Sequence, residues 1–135
     1  MPLIEWTPAL SVGVDLIDAQ HQKLLAIANE LHDAMLEHRA KQVLGQTLAD
    51  LIDYTHTHFA TEERFFAEFD YPDKEAHMAE HRALSSKVVE LKAEFDSGNT
   101  AVTLEVMRFL KQWISEHLAG EDLKFAPFLR EHGVR

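Results

Sequence analysis

The chain lacks several features whose absence narrows its possible chemistry. Its 135 residues include no cysteine, which excludes disulfide bonds, thiolate metal ligands and cysteine nucleophiles. The chain has only five glycines and four prolines, a combined share well below the average usage of about 12% for these two residues. We therefore expect few turns and long secondary-structure elements. The longest apolar run, Leu24 to Ala28, is far shorter than the roughly 20 residues of a transmembrane helix.

Positive charge is scarce as well. The 13 lysines and arginines face 23 acidic residues, and the formal net charge of -10 argues against binding to nucleic acid or to an anionic membrane. The first residues lack the charged and apolar regions of a signal peptide, so we expect a cytoplasmic protein. Hydrophobic residues at 46% and charged residues at 27% are typical of a globular domain.

Apolar residues recur at spacings of three and four in four long segments, which is typical of amphipathic helices. In the first segment the apolar stripe is Leu24, Ala28, Leu31 and Met35. The pattern predicts four helices and a short last helix, over about residues 19–37, 41–68, 74–95, 100–119 and 123–130.

The breaks between these segments complete the predicted architecture. Asp18 is a good N-cap for the first helix, Pro72 separates the second and third helices, and Ser97-Gly98-Asn99 is a turn signal. Long helices with short connections favour an all-α, up-down-up-down antiparallel four-helix bundle. We therefore predict a single domain over residues 1–135, with an N-terminal arm over 1–18, the bundle over 19–119 and a C-terminal segment over 120–135.

Two pairs of polar residues lie on the apolar stripes. His58 and Glu62, like His77 and His81, are four residues apart, which places each pair about 40° apart on one helix face. A single histidine on an apolar face is usually an ordinary core residue. Two such pairs on neighbouring helices favour a binding site instead.

His21 and His117 extend this pattern to the other two helices. In an up-down-up-down bundle, the start of the first and third helices lies level with the end of the second and fourth. His21 is near the start of the first helix and His117 near the end of the fourth. All five histidines and Glu62 are therefore predicted to meet at one level.

A metal site would explain this buried polar cluster. Without metal, each unpaired polar group would cost a few kcal/mol of desolvation. Carboxylates with imidazoles suit iron, manganese or zinc, and seven ligands exceed the four of a structural zinc, so two metals are favoured. The seventh ligand is open at this point: Glu121 lies at the α-helical spacing of four from His117, whereas Asp122 would need a backbone deviation near Gly120.

The ordered set of motifs resembles the hemerythrin family, and most closely its single-domain bacterial members. The family pattern is a histidine on the first helix, H-x-x-x-E on the second, H-x-x-x-H on the third and H-x-x-x-x-D on the fourth. The resemblance extends from Trp6 to about Leu129 and selects Asp122 over Glu121. It implies seven metal ligands: His21, His58, Glu62, His77, His81, His117 and Asp122.

By this resemblance the cofactor is a pair of non-haem iron ions joined by an oxo or hydroxo bridge. Glu62 and Asp122 would bridge the irons. One iron would be held by His77, His81 and His117. The other would be held by His21 and His58 and would keep an open position, where O2 would bind as a hydroperoxide.

The resemblance also implies an apolar O2 pocket formed by Phe59, Trp113 and Ile114. Two positions depart from the family pattern. Ile114 stands where the family often has leucine, and we expect a small effect. Phe125 stands where the family commonly has tyrosine, so a hydroxyl near the site is missing, which bears on redox tuning.

The function implied is reversible O2 binding, as a carrier, a store or a sensor, and not catalysis. Small anions or nitric oxide would be further ligands of the open iron. The alternatives are a di-iron enzyme that detoxifies peroxide or nitric oxide, and iron buffering. We expect a monomer, because no helix shows an obvious second apolar face. We expect no contact with nucleic acid or membrane, because the net charge is strongly negative.

Overall fold

A computed structural model describes residues 5–98 and 102–135, and the regular elements in this part of the chain are all helical, without a strand. The predicted all-α fold is thereby confirmed. In chain order the elements are a 3-10 turn at Pro8–Leu10, α1 (Asp15–Leu36), α2 (Ala40–Phe69), α3 (Lys74–Asp96), α4 (Val102–Gln112), a π-helix (Trp113–Asp122) and α5 (Leu123–Glu131). Helix α1 packs against α2 and α4, and α3 packs against the same two helices.

Helix α1 begins at Asp15, one turn earlier than predicted, with Val14 as its N-cap. The assignment of Asp18 as the N-cap is therefore wrong. The Asp18 carboxylate instead accepts hydrogen bonds from the Ser11 hydroxyl at 2.5 Å and from the Val12 backbone N–H at 2.8 Å. These bonds connect the N-terminal arm to the first turn of α1. The negative charge of Asp18 also interacts favourably with the helix dipole there.

The breaks between the helices lie close to the predicted places. Helix α2 ends at Phe69, and its C-cap residue Asp70 adopts a left-handed conformation with φ of 52°. Asp73 occupies the N-cap position of α3, although its side chain makes no capping hydrogen bond there. Gly98 follows α3 with φ of 91°, a value that favours glycine. The rest of that predicted turn, from Asn99, and the predicted start of the fourth helix at residue 100 lie outside the described residues.

The fourth helix does not stop near residue 119. Its backbone continues from α4 through the π-helix into α5, so the predicted interruption at Gly120 is wrong. Gly120 has no positive φ, and a Cβ built on it would meet nothing within 4 Å. The deviation needed for Asp122 therefore comes from π-helical winding, in which hydrogen bonds join residues five apart.

The core consists of two separate apolar clusters. The larger one fills the body of the bundle and includes Leu31, Leu48, Leu51, Val88 and Leu110. The smaller one joins the N-terminal arm to α5 and consists of Val12, Val14, Ile17, Phe66, Tyr71, Phe125, Ala126 and Leu129. Between the two clusters, each long helix contributes buried polar residues. No helix among the described residues combines the length and hydrophobicity that a membrane crossing requires.

Candidate metal centre

Seven buried polar side chains form a continuous layer between the two apolar clusters. None is more than 2% exposed. Their ligand atoms fall into two groups within which all atoms lie within 4.8 Å of one another, and Glu62 and Asp122 belong to both. The five-residue group is Glu62, His77, His81, His117 and Asp122, and the four-residue group is His21, His58, Glu62 and Asp122. The structure thus brings together every residue that the sequence proposed for the metal.

The π-helix explains how the fourth helix contributes two of these residues. In a regular α-helix, residues five apart lie about 140° from each other around the axis. His117 and Asp122 both lie in the π-helix and both are buried in the cluster. The wider winding brings His117 and Asp122 to one side, in the way that α-helical spacing aligns His58 with Glu62 and His77 with His81. π-Helical segments are rare and often occur at functional sites.

Asp122 presents one carboxylate oxygen to each group. Its Oδ1 lies 2.9 Å from Nε2 of His77 and 3.4 Å from Nε2 of His117. Its Oδ2 lies 2.8 Å from Nε2 of His21 and 3.6 Å from Nε2 of His58. A carboxylate that divides its two oxygens in this way has the arrangement of a bridging ligand.

Glu62 also contacts histidines of both groups, but through a single oxygen. Its Oε1 lies 3.0 Å from Nε2 of His81, 3.3 Å from Nε2 of His58 and 3.7 Å from Nε2 of His77. Its Oε2 is buried and has no hydrogen-bond partner among the described residues. All five histidines therefore direct Nε2 towards the two shared carboxylates.

The donor set fits metal ions. The buried atoms without a hydrogen-bond partner in the described part of the chain include Nε2 of His77 and His117, Oε2 of Glu62 and Oδ1 of Asp122. Each such atom costs about 1–3 kcal/mol if it stays unpaired. Imidazole nitrogens with carboxylate oxygens suit iron, manganese or zinc. Two groups of five and four donors that share two carboxylates match a pair of metal ions better than one.

The surroundings shift the pKa values of the two shared carboxyl groups in opposite directions. Burial raises the pKa of Glu62 well above its usual value, and the negative charge of Asp122 adds to this rise. Burial would also raise the pKa of Asp122, but its contacts with His21, His58 and His77 outweigh burial and lower the pKa well below the usual value. Two buried carboxylates this close cannot both stay charged without positive charge nearby.

The pKa values of the histidines also shift in opposite directions. Burial alone would lower the pKa of His77, yet its contacts with Asp122 and Glu62 raise it to about 10. Burial and the charge of His77 lower the pKa of His81 to about 2. Burial also lowers the pKa of His117, to about 4. Metal binding would displace the proton from His77, because a ligating imidazole must be neutral at the nitrogen it offers.

Residues around the cluster fix the orientation of two imidazoles. Nδ1 of His58 donates to Oε1 of Gln20 at 2.7 Å, and the Gln20 amide in turn donates to the Thr61 hydroxyl at 3.1 Å. Nδ1 of His81 donates to Oε2 of Glu63 at 2.9 Å. Each bond keeps the proton on Nδ1 and leaves the Nε2 lone pair directed into the cluster. Sequence reasoning missed the role of Gln20, because no local spacing relates it to His58.

The three residues expected to form the pocket are buried members of the larger apolar cluster. Phe59, Trp113 and Ile114 are 4%, 2% and 4% exposed. The Phe59 ring stacks on the His81 imidazole at 3.9 Å between centroids, and it lies 5.8 Å from the Trp113 ring. The Phe59 ring thus covers one face of the His81 imidazole.

Two further aromatic residues flank the cluster at different places. Phe125 packs edge-on against Phe66 at 4.6 Å and lies 5.9 Å from the His77 ring, so it adjoins the five-residue group. Tyr54, which sequence reasoning did not single out, stacks on the His58 imidazole at 5.1 Å and adjoins the four-residue group. The periodicity of α2 could have found Tyr54, since it precedes His58 by one turn.

Comparison with known proteins connects this site to one family. Residues 12–129 match the family model described as the hemerythrin HHE cation binding domain. A bacteriohemerythrin of Stenotrophomonas maltophilia is 31% identical, with 98% of this chain and 85% of that protein covered. A bacteriohemerythrin of Methylococcus capsulatus is 32% identical, with 96% of this chain and 98% of that protein covered. A crystal structure of a hemerythrin point mutant superposes with a TM-score of 0.84 at 32% identity, covering 94% of this chain and 97% of the other.

Proposed function

We propose that this chain, which belongs to the hemerythrin family, binds O2 reversibly at a centre of two non-haem iron ions. The observation that carries the proposal is the pair of buried donor groups that share Glu62 and Asp122. The family match over residues 12–129 further supports treating residues 1–135 as one hemerythrin-like domain.

The two groups suggest unequal roles for the two iron positions. We assign His77, His81 and His117 to one iron and His21 and His58 to the other, with Glu62 and Asp122 as shared ligands. The four-residue group offers one protein donor fewer than the five-residue group. The position near His21 and His58 is therefore the one with room for an external ligand.

When bound, two ferrous ions supply the electrons that O2 accepts on binding. The protein's own contribution is to place and protect the site. Phe59, Trp113 and Ile114 would exclude water from the pocket, and this exclusion disfavours irreversible oxidation of the iron. Gln20 holds the imidazole of His58, one of the two histidines at the four-residue position.

Apolar pocket walls favour ligand binding over turnover. Reduction of peroxide or nitric oxide consumes protons, and Phe59, Trp113 and Ile114 carry no acidic group that could supply them. The alternative functions are a di-iron enzyme that acts on peroxide or nitric oxide, and an iron buffer. Small anions and nitric oxide would compete with O2 at the same position.

The test is a visible spectrum of the iron-loaded, anaerobically reduced protein during exposure to air and subsequent purging with argon. We expect a colourless solution that gains a charge-transfer band in air and loses it on purging. Direct and irreversible conversion to the oxidised form would contradict reversible binding. Steady consumption of peroxide or nitric oxide far above the rate of autoxidation would favour the enzyme, and rapid loss of iron to a chelator would favour the buffer.

A further inference from the structure

Tyr54 places a buried hydroxyl beside the four-residue group. The side chain is 2% exposed, and its ring lies between the His58 imidazole at 5.1 Å and the Trp113 indole at 5.9 Å. The tyrosine thus contacts both a proposed iron ligand and a wall of the proposed pocket. Its hydroxyl oxygen has no hydrogen-bond partner among the described residues.

A hydroxyl in this position needs a reason. Buried tyrosine hydroxyls normally find a hydrogen-bond partner, and an unpaired one destabilises the fold. Phenylalanine would pack the same ring against His58 and Trp113 without that cost. The phenol is protonated at neutral pH, because its ordinary pKa is about 10, so it acts as a hydrogen-bond donor.

The location of the hydroxyl indicates its acceptor. The two shared carboxylates already face the imidazoles, whereas the four-residue group is one protein donor short of its neighbour. An external ligand at that position would bring an electronegative atom next to Tyr54. Phe125, where the family resemblance leads one to expect a tyrosine, lies at the His77 end of the centre and carries no hydroxyl.

We propose that Tyr54 is a positioning residue whose hydroxyl donates a hydrogen bond to a small ligand, O2 or a small anion, bound beside His58. This inference rests on the proposed function, because it requires an external ligand at the four-residue group. Tyr54 would select ligands that present a hydrogen-bond acceptor and would slow their release. It would not hold the iron itself.

The experiment compares Tyr54→Phe with Tyr71→Phe, which removes the hydroxyl of the only other tyrosine in the chain. Tyr71 belongs to the smaller apolar cluster and lies 6.5 Å from the His77 ring, near the five-residue group. Oxidised, iron-loaded protein is titrated with azide and followed by visible absorption. Iron content and the unfolding midpoint of the metal-free protein are measured for every variant.

We expect Tyr54→Phe to weaken azide binding by about 5- to 10-fold, the effect of one hydrogen bond. Its iron content should equal that of the native chain, and its unfolding midpoint should not fall. Tyr71→Phe should bind azide as the native chain does.

Azide affinity of Tyr54→Phe within about twofold of native would overturn the proposal, and so would an equal loss in both variants. Loss of iron or a lower unfolding midpoint in Tyr54→Phe would assign the hydroxyl a structural role and overturn it too. If the native chain itself binds no iron or no external ligand, the proposed function fails and the inference fails with it.

Discussion

Replacement of Asp122 by asparagine tests the shared centre most directly. Asp122 contacts histidines of both groups, through Oδ1 on one side and Oδ2 on the other. Asparagine keeps the shape of the side chain but removes its negative charge, and its amide nitrogen cannot act as the second ligating oxygen. Both metal positions should therefore weaken together.

The expected size of the effect follows from the thermodynamic linkage between metal binding and folding. Loss of partners that only support a ligand typically costs 10- to 100-fold in metal affinity, so a ligand shared by two metals should cost at least about 100-fold. Metal present at about 100 times the native Kd stabilises the fold by about 2.7 kcal/mol, and a 100-fold weaker site retains about 0.4 kcal/mol. For a chain of this length the metal-induced rise in Tm should fall from roughly 10 °C to roughly 2 °C.

The assay is thermal unfolding followed by circular dichroism, with and without ferrous iron under anaerobic conditions. Each variant serves as its own metal-free reference. Glu116→Gln is the matched control, because Glu116 is an exposed carboxylate in the same π-helix and accepts from Gln112 rather than from a residue of the polar cluster. A native rise in Tm for Asp122→Asn, or an equal loss in the control, would refute the assignment of Asp122 as a shared ligand.

Three further predictions concern protons, orientation and packing. At pH 7 the pKa of about 10 keeps His77 protonated without metal, so metal binding should release at least one proton and weaken as the pH falls, as titration calorimetry in buffers of different ionisation heat would show. Binding without proton release would contradict this charge assignment. Gln20→Ala should weaken metal binding about 10-fold in competition with a chelator by releasing His58, and unchanged affinity would count against that role. Leu48→Ala, in the larger apolar cluster, should lower the free energy of unfolding by about 2–5 kcal/mol in urea without changing metal stoichiometry, and a changed stoichiometry would link that cluster to the site.

Much of the fold follows from local pattern. The apolar spacing of three and four places the long helices to within a few residues, and Pro72 lies in the break that separates α2 from α3. The start of α1 was missed because Asp18 has two possible roles that local sequence does not distinguish. It can cap a helix, or it can bind the preceding arm, and Ser11 and Val12 make the second role the observed one.

The sequence was sufficient to predict which residues form the candidate site, but not how the backbone and the neighbouring side chains place them. Spacing of four identifies His58 with Glu62 and His77 with His81, because the α-helix fixes that geometry. Asp122 depends on π-helical winding, for which periodicity gives no signal, and only the family resemblance selected it. Gln20 acts across two helices, so its role follows from packing and not from spacing.

The polar layer between the two apolar clusters also has a consequence for local unfolding. Ile17 and Leu24 flank His21 on α1, and they belong to different clusters. Without metal, this layer holds several buried polar atoms that have no hydrogen-bond partner among the described residues, so it couples the two clusters only weakly. We expect the N-terminal arm and α5 to open as a separate unit in hydrogen exchange, and metal ions that join all four helices at this level should merge that unit with the bundle.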